Sequence, residues 1–123
     1  MWIFSRYGFY SIACGDNADG SPDSQTVMIR ARVAAHLRNL QDRFPDLAGA
    51  EILDWPHRDY RHRIVVPKAA WVRVVTQMAE EQVWSNFKKE VARYQGRDGS
   101  AYVQALYEVW NVMFAVQRGG GSQ

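Results

Sequence analysis

Four arginines occupy alternate positions in two short segments, Arg30 with Arg32 and Arg61 with Arg63. Because side chains two residues apart lie on one face of a strand, each pair should project from a single face. Guanidinium groups bind phosphate oxygens through two parallel hydrogen bonds and stack on aromatic rings and bases. These residues therefore indicate a surface that binds an anionic partner.

Aromatic residues that could join the arginines are concentrated in the segment Trp2–Ala13, which contains five of them and a single glycine, Gly8. Aromatic and β-branched residues favour strands, so we predict one central strand here, the first of the sheet. Gly8 should mark a bulge or the close approach of another backbone. Tyr7 and Tyr10 are the rings that we expect beside the arginines, because bases of any sequence stack on such rings.

Both arginine pairs fall in segments whose apolar and polar residues alternate, Thr26–Val33 and Tyr60–Val66. This period of two is typical of a strand with one buried face. If the apolar residues face the helices, the arginines face away from them. The same arginines could instead pair with carboxylates of neighbouring strands, or helices or a second subunit could cover this face. The carboxylates in question are Glu51, Asp54 and Asp59.

The remaining pattern completes an α+β domain. A loop is predicted at Cys14–Ser24, a short strand at Ala50–Trp55, and helices at Ala34–Phe44 and Lys68–Gln82. A further helix, capped by Ser85 or Asn86, should run through Tyr94 and stop at Gly96, and the last helix should begin at Ser100. The order β-β-α-β-β-α-α-α predicts an antiparallel four-stranded sheet with its helices on one face, in a ferredoxin-like or related sandwich. We expect one domain over residues 1–118 and a flexible glycine-rich tail over residues 119–123.

The last helix has an apolar stripe at helical spacing, which we predict to be its core face. The stripe consists of Leu106, Val109, Trp110, Met113 and Val116. The preceding helix begins with a basic cluster that includes Lys88, and a helix N-terminus can bind an anion through its unpaired N–H groups. An ordinary solvated helix face explains the same charges, so both interpretations of Lys88 stay open.

Acid–base chemistry has one candidate group, Asp59 with Tyr60 and His62. The alternation of this segment predicts that Tyr60 and His62 face the helices. His57 and His62 lack the spacing of a zinc site, and the loop Cys14–Ser24 lacks that of a calcium loop. No phosphate-binding loop, nucleophile elbow or dinucleotide motif occurs either. We therefore expect no metal or cofactor, and the sequence favours a protein that is not an enzyme.

The composition is that of a globular protein of ordinary domain size. The chain has 123 residues, 47% of them hydrophobic, and a net charge of +2 at pH 7. Because the net charge is small, anion binding must depend on where the positive charges lie. The single cysteine, Cys14, forms no internal disulfide, and we expect a reduced thiol in the cytoplasm. No apolar segment reaches the ~20 residues of a membrane span, and the N-terminus does not read as a signal peptide.

Short motifs along the chain resemble those of a group of small bacterial proteins without assigned function. The motifs are Met1-Trp2-x-Phe4-x-x-x-Gly8-Phe9-x-Ser11, Arg30-x-Arg32, Asp59-Tyr60-x-x-Arg63, Asn86-Phe87-Lys88 and Leu106-Tyr107-x-x-Trp110. They are spread over nearly the whole chain, which departs from the group at Arg61 and His62. The resemblance implies a free-standing bacterial protein, and it assigns no catalytic role to any residue.

We predict a small non-enzymatic binding module that docks an anionic partner, nucleic acid or a nucleoprotein, through an arginine-rich and aromatic sheet face. The candidate binding residues are Arg30, Arg32, Arg61, Arg63, Tyr7, Tyr10 and Lys88. One alternative is a protein-interaction module, a regulator or inhibitor in bacterial or phage competition, that buries Trp2 and Trp55 against its partner. A further alternative is a small enzyme that uses Asp59, Tyr60 and His62. A homodimer is compatible with each, because an exposed aromatic face is a natural dimer surface.

Overall fold

The computed structural model describes residues 1–121. Over these residues the strands and α-helices are β1 Trp2–Ser5, β2 Gly8–Asp16, β3 Pro22–Ala31, α1 Ala34–Arg43, β4 Leu53–Asp54, β5 His62–Pro67, α2 Lys68–Glu80, α3 Phe87–Gln95 and α4 Ser100–Gly121. Short 3-10 helices lie at Pro45–Leu47 and Gly96–Gly99. The chain forms two compact units, Met1–Val83 and the segment that starts at Trp84, within the span predicted as one domain.

The first unit is built on a five-stranded sheet in the order β1-β2-β3-β5-β4, with every neighbouring pair antiparallel. The predicted α+β class is confirmed. The strand count differs from the predicted four, because Trp2–Ala13 is a hairpin instead of one strand. Ser5 faces Gly8 across it, and Arg6 and Tyr7 form the turn. Aromatic composition suits both strands of a hairpin equally, so it gave no signal of the reversal.

The core of this unit lies between α1, α2 and one face of the sheet. Ile12, Ile29 and Ile64 stand side by side on three adjacent strands and are buried. The helices contribute the buried side chains Leu37, Leu40, Ala70, Trp71 and Val74 to the same cluster. The alternation in β3 and β5 therefore predicted the buried face correctly.

Tyr7 and Tyr10 belong to this core, which corrects the prediction that they lie beside the arginines. Tyr10 is fully buried, and its hydroxyl donates to the backbone oxygen of His36 at 2.6 Å. Tyr7 packs edge-on against Phe44 with ring centroids 5.4 Å apart, and its hydroxyl donates to Glu81. The two-residue turn sets the register of β2, and that register directs Phe9 to one face and Tyr10 to the other.

The second unit contains α3 and α4. Asn86 caps α3 by accepting a hydrogen bond from the Lys89 backbone N–H at 3.0 Å, and Gly96 follows the helix with a φ of 65°. Its buried residues include Val91, Tyr102 and Leu106. The helix boundaries predicted around Asn86 and Gly96 thus agree with the structure.

The C-terminal half of α4 differs from the prediction of a core face. Leu106 is buried, but Trp110, Met113 and Val116 are exposed. The helix continues to Gly121, into the segment predicted as a tail, and the last two residues of that segment lie outside the described residues. No helix within residues 1–121 combines the length and the apolar content needed to cross a membrane.

Gly8 and His36 join the hairpin to α1. His36 is buried, and its Nδ1 accepts a hydrogen bond from the Phe9 backbone N–H at 3.2 Å. Gly8 has a φ of 155°, and a Cβ placed on it would lie 2.3 Å from Cγ of the imidazole. The expected close approach at Gly8 is therefore present, to a side chain instead of a backbone. Burial lowers the pKa of His36 to about 4.

Replacing Gly8 by alanine should destabilise the protein by about 2–4 kcal/mol, because the added methyl group overlaps the imidazole of His36. Urea denaturation of the variant measures this change. Gly49→Ala is the matched control, since a Cβ at Gly49 meets no atom within 4 Å. Equal stability of the two variants would contradict the close packing at Gly8.

Acidification should destabilise the protein through His36. The unfolded chain binds a proton near the ordinary histidine pKa of about 6.5, whereas the folded chain binds it only near pH 4. The free energy of unfolding should therefore fall as the pH is lowered from 6.5 to 4, by up to about 3 kcal/mol. Urea denaturation curves measured across this pH range should show a smaller fall in the free energy of unfolding for His36→Gln than for the parent protein. His57→Asn, which alters an exposed histidine, should keep the full fall.

Candidate anion-binding face

The face of the sheet opposite the core carries the arginines. Register places Ser11, Arg30, Arg63 and Leu53 side by side on four adjacent strands. Arg30 and Arg63 thus face each other directly, at a strand separation of about 4.8 Å. Like charges in directly opposite positions destabilise a sheet, so this pair requires compensation from its surroundings.

The loop between β4 and β5 supplies aromatic rings to this face. The backbone N–H of Trp55 donates to the Arg61 oxygen at 2.7 Å, and that of Arg58 donates to the Trp55 oxygen at 3.0 Å. These bonds turn the chain so that Trp55 and Tyr60 lie over the arginines. Tyr60 was predicted to face the helices. That prediction is wrong, because β5 begins only at His62 and its alternation does not extend to Tyr60.

Two rings hold four guanidinium groups. The guanidinium carbons of Arg30 and Arg32 lie 5.0 and 4.5 Å from the ring centre of Tyr60. Those of Arg63 and Arg58 lie 4.2 and 5.6 Å from the ring centre of Trp55. Cation–π contacts of this kind stabilise by about 0.5–2 kcal/mol each, depending on exposure. We call this group the arginine–aromatic face: Arg30, Arg32, Trp55, Arg58, Tyr60 and Arg63.

Arg63 is the buried centre of the arginine–aromatic face, with 6% of its surface exposed. Its Nη2 donates to the Tyr60 backbone oxygen at 2.8 Å, while its buried Nε has no hydrogen-bond partner among the described residues. Burial and the nearby charges of Arg30 and Arg58 lower the pKa of Arg63. The charged form of this side chain is therefore held in an unfavourable environment.

Two other arginines of this face, Arg30 and Arg32, donate to neutral acceptors and not to carboxylates. Arg30 Nη2 donates to the Ser11 hydroxyl at 2.8 Å, and Arg32 Nη1 donates to the Asp59 backbone oxygen at 2.8 Å. Within residues 1–121, none of the four arginines on the face has a carboxylate oxygen within 4.0 Å. The expected alternative of ion pairing across strands does not apply to them.

Arg61 behaves differently from its predicted companions. Its Nε and Nη2 donate to the two carboxylate oxygens of Asp54 at 2.6 and 3.1 Å. The guanidinium lowers the pKa of Asp54. Since this charge is already paired in a two-bond arrangement, we do not include Arg61 in the arginine–aromatic face.

Further aromatic rings continue from the arginines across the sheet. Tyr60 lies 6.3 Å from Phe9, which contacts Trp2 at 5.7 Å and stacks on Phe4 at 4.5 Å between ring centres. Trp2 is 68% exposed. Tyr60, by contrast, is buried. An exposed ring such as Trp2 beside a positive cluster is a combination on which single-stranded nucleic acids stack.

Lys88 lies in the second unit, on α3. Its Nζ is 5.0 Å from the ring centre of Tyr107 and 5.7 Å from that of Trp110. These contacts are within the unit itself. Anion binding by Lys88 stays a prediction, and Lys88 is not counted in the arginine–aromatic face of the first unit.

The proposed acid–base group is not assembled on one face. His62 stands opposite the buried Ala31, on the helix-facing side, while Tyr60 lies with the arginines on the other side. Asp59 is exposed, and its side chain accepts a hydrogen bond from the Tyr60 backbone N–H. No three His, Cys, Asp or Glu side chains of residues 1–121 are grouped as metal ligands.

Sequence reasoning missed Arg58 and did not place Trp55 beside the arginines. Both lie in a loop, where alternation gives no information on side-chain direction. The available signal was the short segment Pro56–Asp59 between the two predicted strands Ala50–Trp55 and Tyr60–Val66. A short turn between antiparallel neighbours returns its residues to the adjacent strands, so the aromatic residue that precedes it was a candidate for covering Arg63.

Replacing Arg63 by methionine should leave the free energy of unfolding unchanged or raise it by about 1–3 kcal/mol. Methionine keeps the packing against Trp55 and removes a buried charge that has no carboxylate partner. Urea denaturation measures the difference. Arg61→Met, which removes an exposed ion pair with Asp54, should lower the stability slightly. A loss of about 3 kcal/mol or more in Arg63→Met would contradict this view, since it would make Arg63 a structural group.

The comparisons add no relative from which a role could be inferred. No family model, curated protein or solved structure matches this chain significantly. The resemblance of its short motifs to a group of small bacterial proteins stays a prediction. The arginine–aromatic face is therefore interpreted from its own geometry.

Proposed function

We propose that the protein is a small non-enzymatic binding module that docks nucleic acid, free or within a nucleoprotein, through the arginine–aromatic face. The observation that carries this proposal is the grouping of Arg30, Arg32, Arg58 and Arg63 on two rings without a carboxylate partner. The chain contains 13 acidic residues, so the composition did not prevent such pairing.

An anionic partner would relieve the repulsion within this group. Arg30 and Arg63 are held opposite each other by the sheet, and Arg63 is removed from water. A fixed, partly desolvated positive cluster interacts with a phosphate group more strongly than solvated charges do, because little reorganisation is needed on binding. The cluster is thus prepared for an anion before the anion arrives.

Nucleic acid is favoured over other polyanions by the aromatic rings. Trp2 and Trp55 are exposed on the side of the sheet that carries the arginines. Bases stack on such rings with an energy of about 1–3 kcal/mol each, while arginines bind the phosphates between them. The sulfate or carboxylate groups of other polyanions use the arginines alone.

A protein-interaction module is the second candidate, and one specific observation favours it. The second unit exposes several large apolar side chains on α4, and such residues usually mark a contact surface. They are Trp110, Val112, Met113, Phe114 and Val116. A regulator or inhibitor in bacterial or phage competition, or a homodimer, would use this helix. Within the leading proposal we place the protein in the bacterial cytoplasm, in keeping with the unpaired thiol of Cys14.

Reversing two charges of the face should weaken nucleic-acid binding. Fluorescence anisotropy with labelled single-stranded and double-stranded 12-mers should give an affinity that falls steeply as salt is raised. Arg30→Glu combined with Arg32→Glu should lower the affinity at least tenfold. It should also reduce the slope of log K against log salt by about one to two, since two phosphate contacts are lost.

Arg38→Glu is the matched control, because it reverses an exposed charge on α1, the helix that packs on the opposite face of the sheet. It should retain most of the affinity, and circular dichroism should verify that all variants are folded. Absence of binding at low salt, or equal losses in the two variants, would refute the proposed function. Binding of a protein partner that persists at high salt and after nuclease treatment would support the second candidate instead.

A further inference from the structure

We propose that the ligand group held by the arginine–aromatic face is the terminal phosphate monoester of a single-stranded nucleic acid. It would bind among Arg30, Arg58 and Arg63. This inference rests on the proposed function and specifies which part of the nucleic acid the face recognises. Charge balance, unsatisfied donors and the shape of the surrounding chain support it independently.

The charge of the arginine–aromatic face favours a dianion over a monoanion. Arg30 and Arg58 are close enough to act on Arg63 by repulsion, and Asp59 is the carboxylate that acts on it by attraction. With Arg32, whose guanidinium lies on the same Tyr60 ring as that of Arg30, the face has four guanidinium groups and one nearby carboxylate, which leaves three positive charges. A phosphate monoester carries about −1.5 to −2 at pH 7, whereas an internal phosphodiester carries −1. A monoester therefore neutralises the group more completely.

The donors left over on Arg63 also suit a monoester. Nη2 donates to the Tyr60 oxygen, Nε is inaccessible to solvent as well as unpartnered, and Nη1 makes no hydrogen bond within residues 1–121. Arg58, an exposed residue, contributes a guanidinium that lies over the same Trp55 ring as that of Arg63. A terminal phosphate offers three oxygens to donors that approach from different directions, but an internal diester has only two that are unesterified.

The path of the chain favours an end over an internal position. On the side of β4 the rings of the face end at Trp55, in the turn held by the hydrogen bond from the Trp55 N–H to the Arg61 oxygen. On the other side, rings continue through Tyr60 and Phe9 to Trp2. An internal phosphate needs room for the nucleic-acid chain on both of its sides, whereas a terminal phosphate needs room for the nucleic-acid chain on one side. Trp2, the exposed ring of this row, then provides stacking for a nucleotide that follows the end.

The test compares three 8-mer oligodeoxythymidylates that differ only in their ends: a 5′-phosphate, a 3′-phosphate, and hydroxyls at both ends. Each carries a fluorophore on an internal base, and binding is followed by anisotropy. One phosphorylated oligonucleotide should bind at least tenfold more tightly than the hydroxyl form. This advantage should shrink as the pH falls through about 6, where the monoester loses its second charge.

Arg63→Met should remove the advantage of the phosphorylated end while it reduces binding of the hydroxyl oligonucleotide by a smaller factor. Arg38→Met, on α1, is the matched control and should keep the advantage in full. The urea denaturation described above establishes that Arg63→Met is folded. Inorganic phosphate should compete with the phosphorylated oligonucleotide and much less with the hydroxyl form.

The outcomes separate this inference from the function on which it rests. Equal and salt-dependent binding of all three oligonucleotides would overturn the terminal-phosphate site and leave nucleic-acid binding in place. Absence of binding to any of them would overturn both. Tighter binding of a phosphoserine peptide than of every oligonucleotide would also overturn the inference, because it would assign the same phosphate chemistry to a protein partner.

Discussion

The pairing register of β3 with β5 is the constraint on which the rest of the structure depends. It aligns Ile29 with Ile64 on the face that α1 and α2 cover, and by the same step it aligns Arg30 with Arg63 on the other face. A slip of one residue would expose the isoleucines, so the core fixes the register strongly. The protein consequently holds two positive charges side by side as a result of burying its apolar residues.

Most of what surrounds these charges reduces their repulsion without neutralising them. Tyr60 and Trp55 offer ring faces, and the acceptors contacted are backbone oxygens and the Ser11 hydroxyl. Such contacts recover only part of the free energy lost when Arg63 leaves water. Local interactions that disagree with the rest of a stable fold are typical of functional sites, where stability is given up for binding. The unfavourable environment of Arg63 is the physical basis of the proposal that this face binds an anion.

Sequence reasoning succeeded for the elements whose signal is local. Alternation predicted β3 and β5 and their faces, and the cap at Asn86 predicted the start of α3. Sequence reasoning failed where one amino-acid composition is compatible with several backbone structures. The aromatic segment Trp2–Ala13 suited one strand as well as a hairpin. The turn of the hairpin places Tyr10 on the buried face of the sheet, whereas it was predicted to lie beside the arginines. On α4, helical spacing predicted a core face, but spacing alone does not supply the neighbour that would bury it.

By itself the sequence determined that Arg30, Arg32 and Arg63 lie on the face away from the core, because strand periodicity links them to buried residues one position away. Only the tertiary structure decided that Arg63 is buried and that Arg58 and Trp55 join it. It also decided that Arg61 pairs with Asp54 and does not join the other arginines. These features depend on cross-strand register and on the path of a loop. Both are fixed by contacts between residues distant in the chain, which no local pattern encodes.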